Sequence, residues 1–480
     1  MDFKQYVTDC KHRIDEVLTA FNISHDGIAA SPGPTVTLFE FKPKVGTRTS
    51  KIVNLRNEFA INLGVPSVRV IVPTYRGTVG IEVPNRERIV IPMTDMLYTE
   101  EYMHTDMTLP LCLGRKADCT VFMVDLATMP HLLVAGATGM GKSVGLNVII
   151  SSLINSLSPD DLKLVLIDPK QVEFTVYEKI ERPYLLKLFP DSQPVITDIN
   201  DALKTLEAVC NLMDERYTTL RNANVRNIAE YNASAAERLP YIVVIIDEFA
   251  DLMLTSRQSK NSLEEYICRI AQKARAVGIH AIISTQRPST DFVTGAIKAN
   301  FPARLAFRTT TAVDSRVIID RKGAESLTGL GDFLFYNGGD TIRAQCAYIS
   351  TEEVSQLCAE METEYADLTP AYIKERPRPI WESWKFDHVL PDTLQYLARL
   401  DRNPLGWYGY KREEDFPSED VREQLIEMGL VRKIASSDGS TTYRGYKLYP
   451  DNERRAILEH FYDKDVSDLD YLTRLYLDRL

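Results

Sequence analysis

The run Gly136-Ala137-Thr138-Gly139-Met140-Gly141-Lys142-Ser143 has the residue types that bind a chain of phosphates. Its glycines let backbone N–H groups close around phosphate oxygens at a helix N-terminus. Its lysine can reach the β- and γ-phosphates, and its terminal hydroxyl can ligate Mg²⁺. The spacing is G-x-x-x-x-G-K-[ST], with the apolar run His131 to Ala135 before it and a helical pattern from Val144 after it. A glycine-rich turn that holds no nucleotide is the plain alternative. Four fixed positions coincide by chance in roughly one or two per cent of chains of this length. The strand-loop-helix setting lowers that further, so ATP with Mg²⁺ is the expected cofactor.

Hydrolysis requires more than binding: a second carboxylate site must support the metal and orient the attacking water. The apolar run Tyr241 to Ile246 ends in Asp247-Glu248, roughly a hundred residues after the loop. Asp247 is the candidate metal-supporting group, beside Ser143, and Glu248 the candidate base or water-positioning group. In isolation, a strand ending in two acids is more often a solvated strand end. After a phosphate-binding loop that preference reverses.

These residues need a scaffold that brings separated strand ends together. From about residue 105 to 360, buried β runs alternate with helices, the pattern of a parallel sheet with crossovers. The strongest runs are His131 to Ala135, Leu162 to Ile167, Tyr241 to Ile246, His280 to Ser284 and Arg304 to Arg308. Before them, a helical pattern over 3–22, a Ser31-Pro-Gly-Pro34 turn, a strand from Thr35 to Phe41, a helix from about 50 to 63, and β runs Val68 to Val72 and Arg88 to Ile91 predict a small α+β domain. Lys374 to Pro379 reads as an extended linker. Beyond it, Ser418 can cap a helix through Met428 with Gly429 as its stop. A hairpin of Arg432 to Ser436 and Thr442 to Leu448 follows, and two helical patterns, one opening at Ser467, close the chain. The expected division is 1–104, 105–360, a linker over 361–390, and a winged-helix-like α+β domain over 391–480.

The bulk properties restrict the partner without choosing it. A formal net charge of -11 over 480 residues excludes a protein whose whole surface binds nucleic acid, but not a local basic lining. Seven scattered cysteines have no metal-ligand spacing and read as reduced thiols of a cytoplasmic protein. The polar N-terminus lacks the apolar stretch of a signal peptide, and no apolar run reaches the roughly 18 residues of a membrane helix. Any membrane attachment is therefore expected to come from a partner.

His131 to Ser143, Ile167-Asp168-Pro169-Lys170, Asp247 to Met253, Ala271 to His280, Thr285-Gln286-Arg287-Pro288 and Asp314-Ser315-Arg316 together resemble the motor of the FtsK/SpoIIIE translocases over roughly residues 5 to 355. The resemblance implies a RecA-like P-loop NTPase preceded by an α subdomain that includes Ser31 to Pro34. It further implies a homo-hexameric ring around double-stranded DNA, with ATP sites between subunits. Arg275 then matches the arginine supplied by a neighbour, Gln286 the polar group that senses the γ-phosphate, and Arg287, Lys298 and Arg316 the pore-lining DNA contacts. On their residue types alone, a solvated helix face is the lesser alternative for Arg275, while Gln286 reads equally as a structural hydrogen-bonding group and the three cations equally as surface charge. Ala312 stands where the family often has lysine. The role of Asp168-Pro169-Lys170 and Glu173 stays open. The function implied is ATP-driven translocation of duplex DNA, in chromosome segregation or in mobile-element transfer. A coupling ATPase that moves protein substrates, and a nucleotide-gated DNA-binding protein with little turnover, are the rivals.

Overall fold

The computed structural model describes residues 3–74, 76–256, 263–339 and 341–373, and in the C-terminal part residues 393, 396, 410–411, 416–427, 431–435 and 443–448. The chain divides into two compact units, Met1–Glu375 and Arg376–Leu480.

The apolar runs of the first unit form strands because each is covered on both faces. In a sheet strand successive side chains point to opposite sides, and here both sides are core. Leu132 and Val134 enter one apolar cluster with Leu164, Leu166, Val243 and Ile245. Leu133 and Ala135 enter the other with Val165, Ile167, Val244 and Ile246. The helix Lys142–Ser156 covers the first face through Leu146, Ile149 and Leu153. The helices Ile199–Asn222 and Leu263–Lys273 cover the second, the former capped by Asp198, which accepts from the N–H groups of Asn200 and Asp201. A branched side chain fully buried in such a layer stabilises by about 1.5–3 kcal/mol, which favours this register over a one-residue slip.

Among the described residues the sheet has ten strands. Its parallel part runs, edge inward, Val195–Ile196, Leu162–Ile167, Tyr241–Ile246, Ile279–Thr285, His131–Ala135 and Ala303–Phe307. Four antiparallel strands continue it: Asp332–Asn337, Ile342–Cys346, Pro110–Lys116 and Val121–Asp125. The five strong runs form as expected. The antiparallel extension goes beyond the parallel sheet that the sequence pattern predicts. Strand order reverses at His131–Ala135, whose neighbours are Ile279–Thr285 and Ala303–Phe307, so the loop after it opens at the switch point where such sheets bind ligands.

Between neighbouring strands, His131 and His280 stand with ring centroids 6.2 Å apart. Burial pulls both down, aided for His131 by His280, to about 3 and about 4 respectively, so both are neutral in the folded protein at ordinary pH.

A four-stranded antiparallel sheet among the described N-terminal residues, in the order His25–Pro32, Val36–Pro43, Val79–Pro84, Arg69–Ile71, carries the helix Phe3–Ala20 on a core of Ile14, Leu18, Phe39 and Ile81. The expected helix over 50–63 is two, Thr49–Asn54 and Arg56–Leu63, divided at Leu55. Gly33 explains the Ser31 to Pro34 turn: a Cβ there would stand 2.2 Å from the carbonyl oxygen of Ala117, so glycine lets this layer meet the motor's edge. Arg343 fastens the two layers from the motor side, donating to Glu82 at 2.7 Å and to Asp332 at 2.6 Å, all three buried. Burial alone would raise the Asp332 carboxyl, but Arg343 and Thr328 outweigh it and hold it below the usual range.

Three expectations require correction. Arg88 to Ile91 forms no strand, and Ile89 and Val90 are each 65% exposed, facing a cleft over the Gly136 to Ser143 loop instead of a pleated neighbour. The first boundary falls before residue 104, because the N-terminal core closes at Val83 while Ile91, Met93, Met96 and Tyr102 pack into the motor. The linker cannot begin at residue 361: the helix Thr351–Glu364 lies on the motor core through Val354 and Cys358, and Ala371–Tyr372 pairs with Leu186–Lys187. Its expected continuation over 374–390 lies outside the described residues.

In the second unit, Ser418 accepts from the N–H of Val421 and the helix Glu419–Glu427 buries Val421 and Leu425. Val431–Ala435 and Tyr443–Leu448 pair antiparallel, with Tyr410–Lys411 added beside the latter. Met428, Gly429, the hairpin turn and the two closing helical patterns lie outside the described residues. Among the described residues, no helix is long and apolar enough to cross a membrane.

Candidate nucleotide site

The loop after His131–Ala135 is shaped by what its glycines permit. Gly141 has φ +112°, and a Cβ on it would lie 2.7 Å from the Cα of Gly331. A Cβ on Gly136 would lie 2.6 Å from that of Phe307. The loop is pinned from outside: Ala137 N–H donates to the Arg308 carbonyl at 2.9 Å, and Gly331 N–H donates to the Met140 carbonyl at 3.0 Å. Gly141 then serves as the N-cap of Lys142–Ser156, which leaves that helix's first N–H groups facing the loop.

Four strand ends deliver the remaining groups. Lys142 is buried, and its ammonium bonds the Asp247 carboxylate and, at 3.1 Å, the Ser284 hydroxyl, which itself donates to Asp247. The Ser143 hydroxyl donates to Glu173, and the Thr138 hydroxyl donates to the Gln286 side-chain oxygen at 2.6 Å. Glu248 is fully buried in a left-handed conformation at φ +47°, uncommon for a residue with a side chain. Its carboxylate accepts from the Thr285 hydroxyl at 2.8 Å, from the Gln286 N–H at 3.1 Å, and from Lys170 at 3.4 Å.

The segment whose role the residues left open is organised by one carboxylate. Buried Asp168 accepts from the N–H groups of Lys170, Gln171, Val172, Glu173 and Phe174 at 2.9–3.1 Å. That turn carries Glu173 to Ser143 and Lys170 to Glu248. Lys170 also meets Asp251 at 3.2 Å, and Asp251 meets Arg287 at 3.7 Å. Burial lowers the affinity of Lys170 for its proton, but Glu248 and Asp251 outweigh this and raise it above the ordinary lysine value.

The cleft over the loop has a volume of about 380 Å³. Thr138, Gly139, Lys142 and Ser143 line its polar side, and Ile89, Val90, Leu330 and Tyr348 line an apolar side. Arg88 holds the latter in place by donating to the carbonyls of Thr328 at 2.9 Å and Gly329 at 3.2 Å. A polar cradle at a helix N-terminus beside an apolar wall fits a triphosphate joined to a flat base, and the Ser143 hydroxyl with the carboxylates behind the loop, Glu173 bonded to Ser143 and Asp247 bonded to Lys142, are hard oxygen donors of the kind that suit Mg²⁺.

The other candidates lie elsewhere. Arg275 is exposed on the short 3₁₀ helix Ala274–Val277, which precedes the strand Ile279–Thr285. That strand leads away from Arg275 toward the cleft, and at about 3.3 Å per residue it separates the two by roughly 20 Å. Arg287 is exposed beside the cleft, and with Gln286 and Ala137 it lines an adjoining pocket. Lys298 and Arg316 belong to another region. The Lys298 ammonium pairs with Asp320, which also takes buried Arg304, and reaches the Arg316 carbonyl at 3.4 Å, while the Arg316 side chain is exposed. The structure thus brings together Lys142, Ser143, Asp247, Glu248 and Gln286, and leaves Arg275, Lys298 and Arg316 apart from them.

The family models for "FtsK alpha domain" and "FtsK/SpoIIIE family" match residues 2–85 and 93–290. A DNA translocase FtsK of Clostridium tetani is 42% identical over 463 residues, covering 91% of this chain and 59% of that protein. The chain belongs to the FtsK/SpoIIIE family. The DNA translocase SftA of Bacillus subtilis is 39% identical over 383 residues, covering 78% of this chain and 39% of its own length. The chain therefore spans about two fifths to three fifths of these curated FtsK/SpoIIIE relatives. The solved conjugation coupling protein TcpA of pCW3, a monomer with ATPγS, superposes with a TM-score of 0.51 at 23% identity, over 74% of this chain and 98% of its own. That likeness fits the RecA-like P-loop fold.

The sequence pattern gives no role to five residues of the site: Lys170, Glu173, Asp251, Ser284 and Thr285. Ser284 and Thr285 end the apolar strand Ile279–Thr285, and two hydroxyls closing such a strand beside Gln286 were the signal available.

Proposed function

We propose that this chain is the motor of an ATP-driven translocase of double-stranded DNA that works as a homo-hexameric ring. The observation that carries it is the contact network behind the phosphate-loop cleft, in a member of the FtsK/SpoIIIE family: Lys142 and Ser143 line the cleft, Lys142 bonds buried Asp247, and buried Glu248 accepts from Gln286, which meets Thr138 of the loop. Lys142 binds the β- and γ-phosphates, Ser143 and Asp247 hold Mg²⁺, Glu248 orients the attacking water, and Gln286 senses the γ-phosphate from beside Thr138. Bound Mg²⁺ supplies positive charge against the phosphates. Arg275 acts on a neighbour's site, and Arg287, Lys298 and Arg316 meet DNA phosphates. All seven cysteines are free, which suits a cytoplasmic setting.

The test is the rate of ATP hydrolysis against the concentration of duplex DNA. Duplexes of arbitrary sequence are expected to stimulate it. The apparent affinity is expected to fall log-linearly with salt, since each neutralised phosphate releases close to one counterion. Arg287→Ala and Arg316→Ala are each expected to weaken the response and reduce the salt slope by about one. Stimulation by one particular sequence only would point to site recognition. None with DNA but a response to protein substrates would point to a protein-coupling ATPase.

A further inference from the structure

Four charged side chains form a line from the protein surface to the hydrolytic carboxylate. Arg287, 60% exposed, pairs with Asp251; Asp251 pairs with Lys170; Lys170 pairs with Glu248, which is buried. Each inner partner is shared. Asp251 divides its charge between Arg287 and Lys170, and Lys170 divides its own between Asp251 and Glu248. The backbone of Lys170 is held by Asp168, so the ammonium moves only as far as its flexible stem allows.

We infer that Lys170 is a positioning residue that restrains Glu248, and that capture of Arg287 by an anionic phosphate of duplex DNA releases the restraint. The inference rests on the proposed reading of the chain as a DNA-driven motor. When a phosphate takes Arg287, Asp251 loses its outer partner and attracts Lys170 more strongly. Lys170 then leaves Glu248. Glu248 keeps the Thr285 hydroxyl and the Gln286 N–H, which fix its direction, and its Oε2, which then keeps the Gln286 N–H at 3.2 Å but no ammonium, regains the capacity to orient water. Without DNA, Lys170 occupies that oxygen and neutralises the charge that would attract the water's proton. The line thus converts contact at the surface into turnover at the site, through three crossovers of one sheet.

The experiment measures basal and duplex-saturated ATPase rates, ATP affinity and duplex affinity for the full chain and for Lys170→Met, Lys170→Arg and Asp251→Asn. Lys170→Met is expected to raise the basal rate to the duplex-saturated one, through kcat and without change in ATP affinity, so that duplex no longer stimulates. Lys170→Arg, which keeps the cation, is expected to restore a low basal rate and stimulation. Asp251→Asn is expected to lose stimulation with a basal rate at or below wild type, because nothing then draws Lys170 outward, while duplex is still bound. A role confined to holding the fold would lower both rates of Lys170→Met together. That result, or a Lys170→Met protein with wild-type basal rate and wild-type stimulation, overturns the inference. If Lys170→Met fails to fold, Asp251→Asn decides, and full stimulation there overturns it. If duplex fails to stimulate the wild type, the DNA reading falls. The Lys170→Met basal rate then still judges the restraint on Glu248, supporting it by rising and refuting it by staying level.

Discussion

Glu248→Gln is expected to bind ATP with wild-type affinity and to hydrolyse it at least about a hundredfold more slowly. The substitution keeps the side chain's shape, and the Thr285 hydroxyl and Gln286 N–H can still donate to the amide oxygen, so the buried pocket is preserved. In the proposed function, what is lost is the negative charge that orients water and accepts its proton in the transition state. An interaction made only there lowers kcat and leaves binding intact. Lys142→Ala acts at the other stage. It removes the only lysine of the phosphate loop and leaves Asp247 buried without its ammonium, so nucleotide affinity itself is expected to fall. Equilibrium binding of a labelled ATP analogue, set beside single-turnover hydrolysis, separates the two. Wild-type turnover by Glu248→Gln would remove it from the chemistry.

Arg275→Ala is expected to be about a thousandfold slower or worse, because a guanidinium that meets the transferring phosphoryl group is worth 10³–10⁵ in rate. Its own cleft lies roughly 20 Å away along the strand Ile279–Thr285. In the proposed ring the effect comes from a neighbouring chain, and mixing tests this. An Arg275→Ala subunit keeps its own Glu248, and a Glu248→Gln subunit keeps its own Arg275. Where the two adjoin in the right order, one intact site is rebuilt from two inactive proteins. Hydrolysis plotted against mixing ratio should peak near equal amounts, with exchange of differently labelled chains measured alongside. A flat line despite exchange, or an active Arg275→Ala protein alone, would return Arg275 to an ordinary surface role.

The parts of this site legible in the sequence are those in which chemistry dictates neighbouring residues. The loop needs its glycines adjacent to Lys142 and Ser143, and Asp247-Glu248 must follow one apolar strand, so each leaves a local mark. The turn at Asp168 leaves none: five N–H groups converge on one carboxylate because of the backbone path after Pro169, which periodicity does not describe. The line Arg287–Asp251–Lys170–Glu248 joins residues on three crossovers, and no sequence spacing reports it. The β-branched pair Ile89 and Val90 predicts a pleated strand, whereas here the two wall the cleft. The antiparallel extension had a visible signal, since Gly338-Gly339 stands between the β-like runs Asp332–Asn337 and Ile342–Cys346.

ATP hydrolysis alone is compatible with a motor, a switch or a pump, whereas movement along a duplex is peculiar to a DNA translocase. The most direct measurement is displacement of a third strand annealed to one end of a long duplex of arbitrary sequence, followed with time after ATP is added. The wild-type protein is expected to release the third strand with ATP, after a lag that lengthens with the distance from the free duplex end. Glu248→Gln is expected to bind the same duplex and release nothing. Wild-type protein that hydrolyses ATP and binds the duplex, yet never displaces the third strand at any duplex length, would contradict translocation.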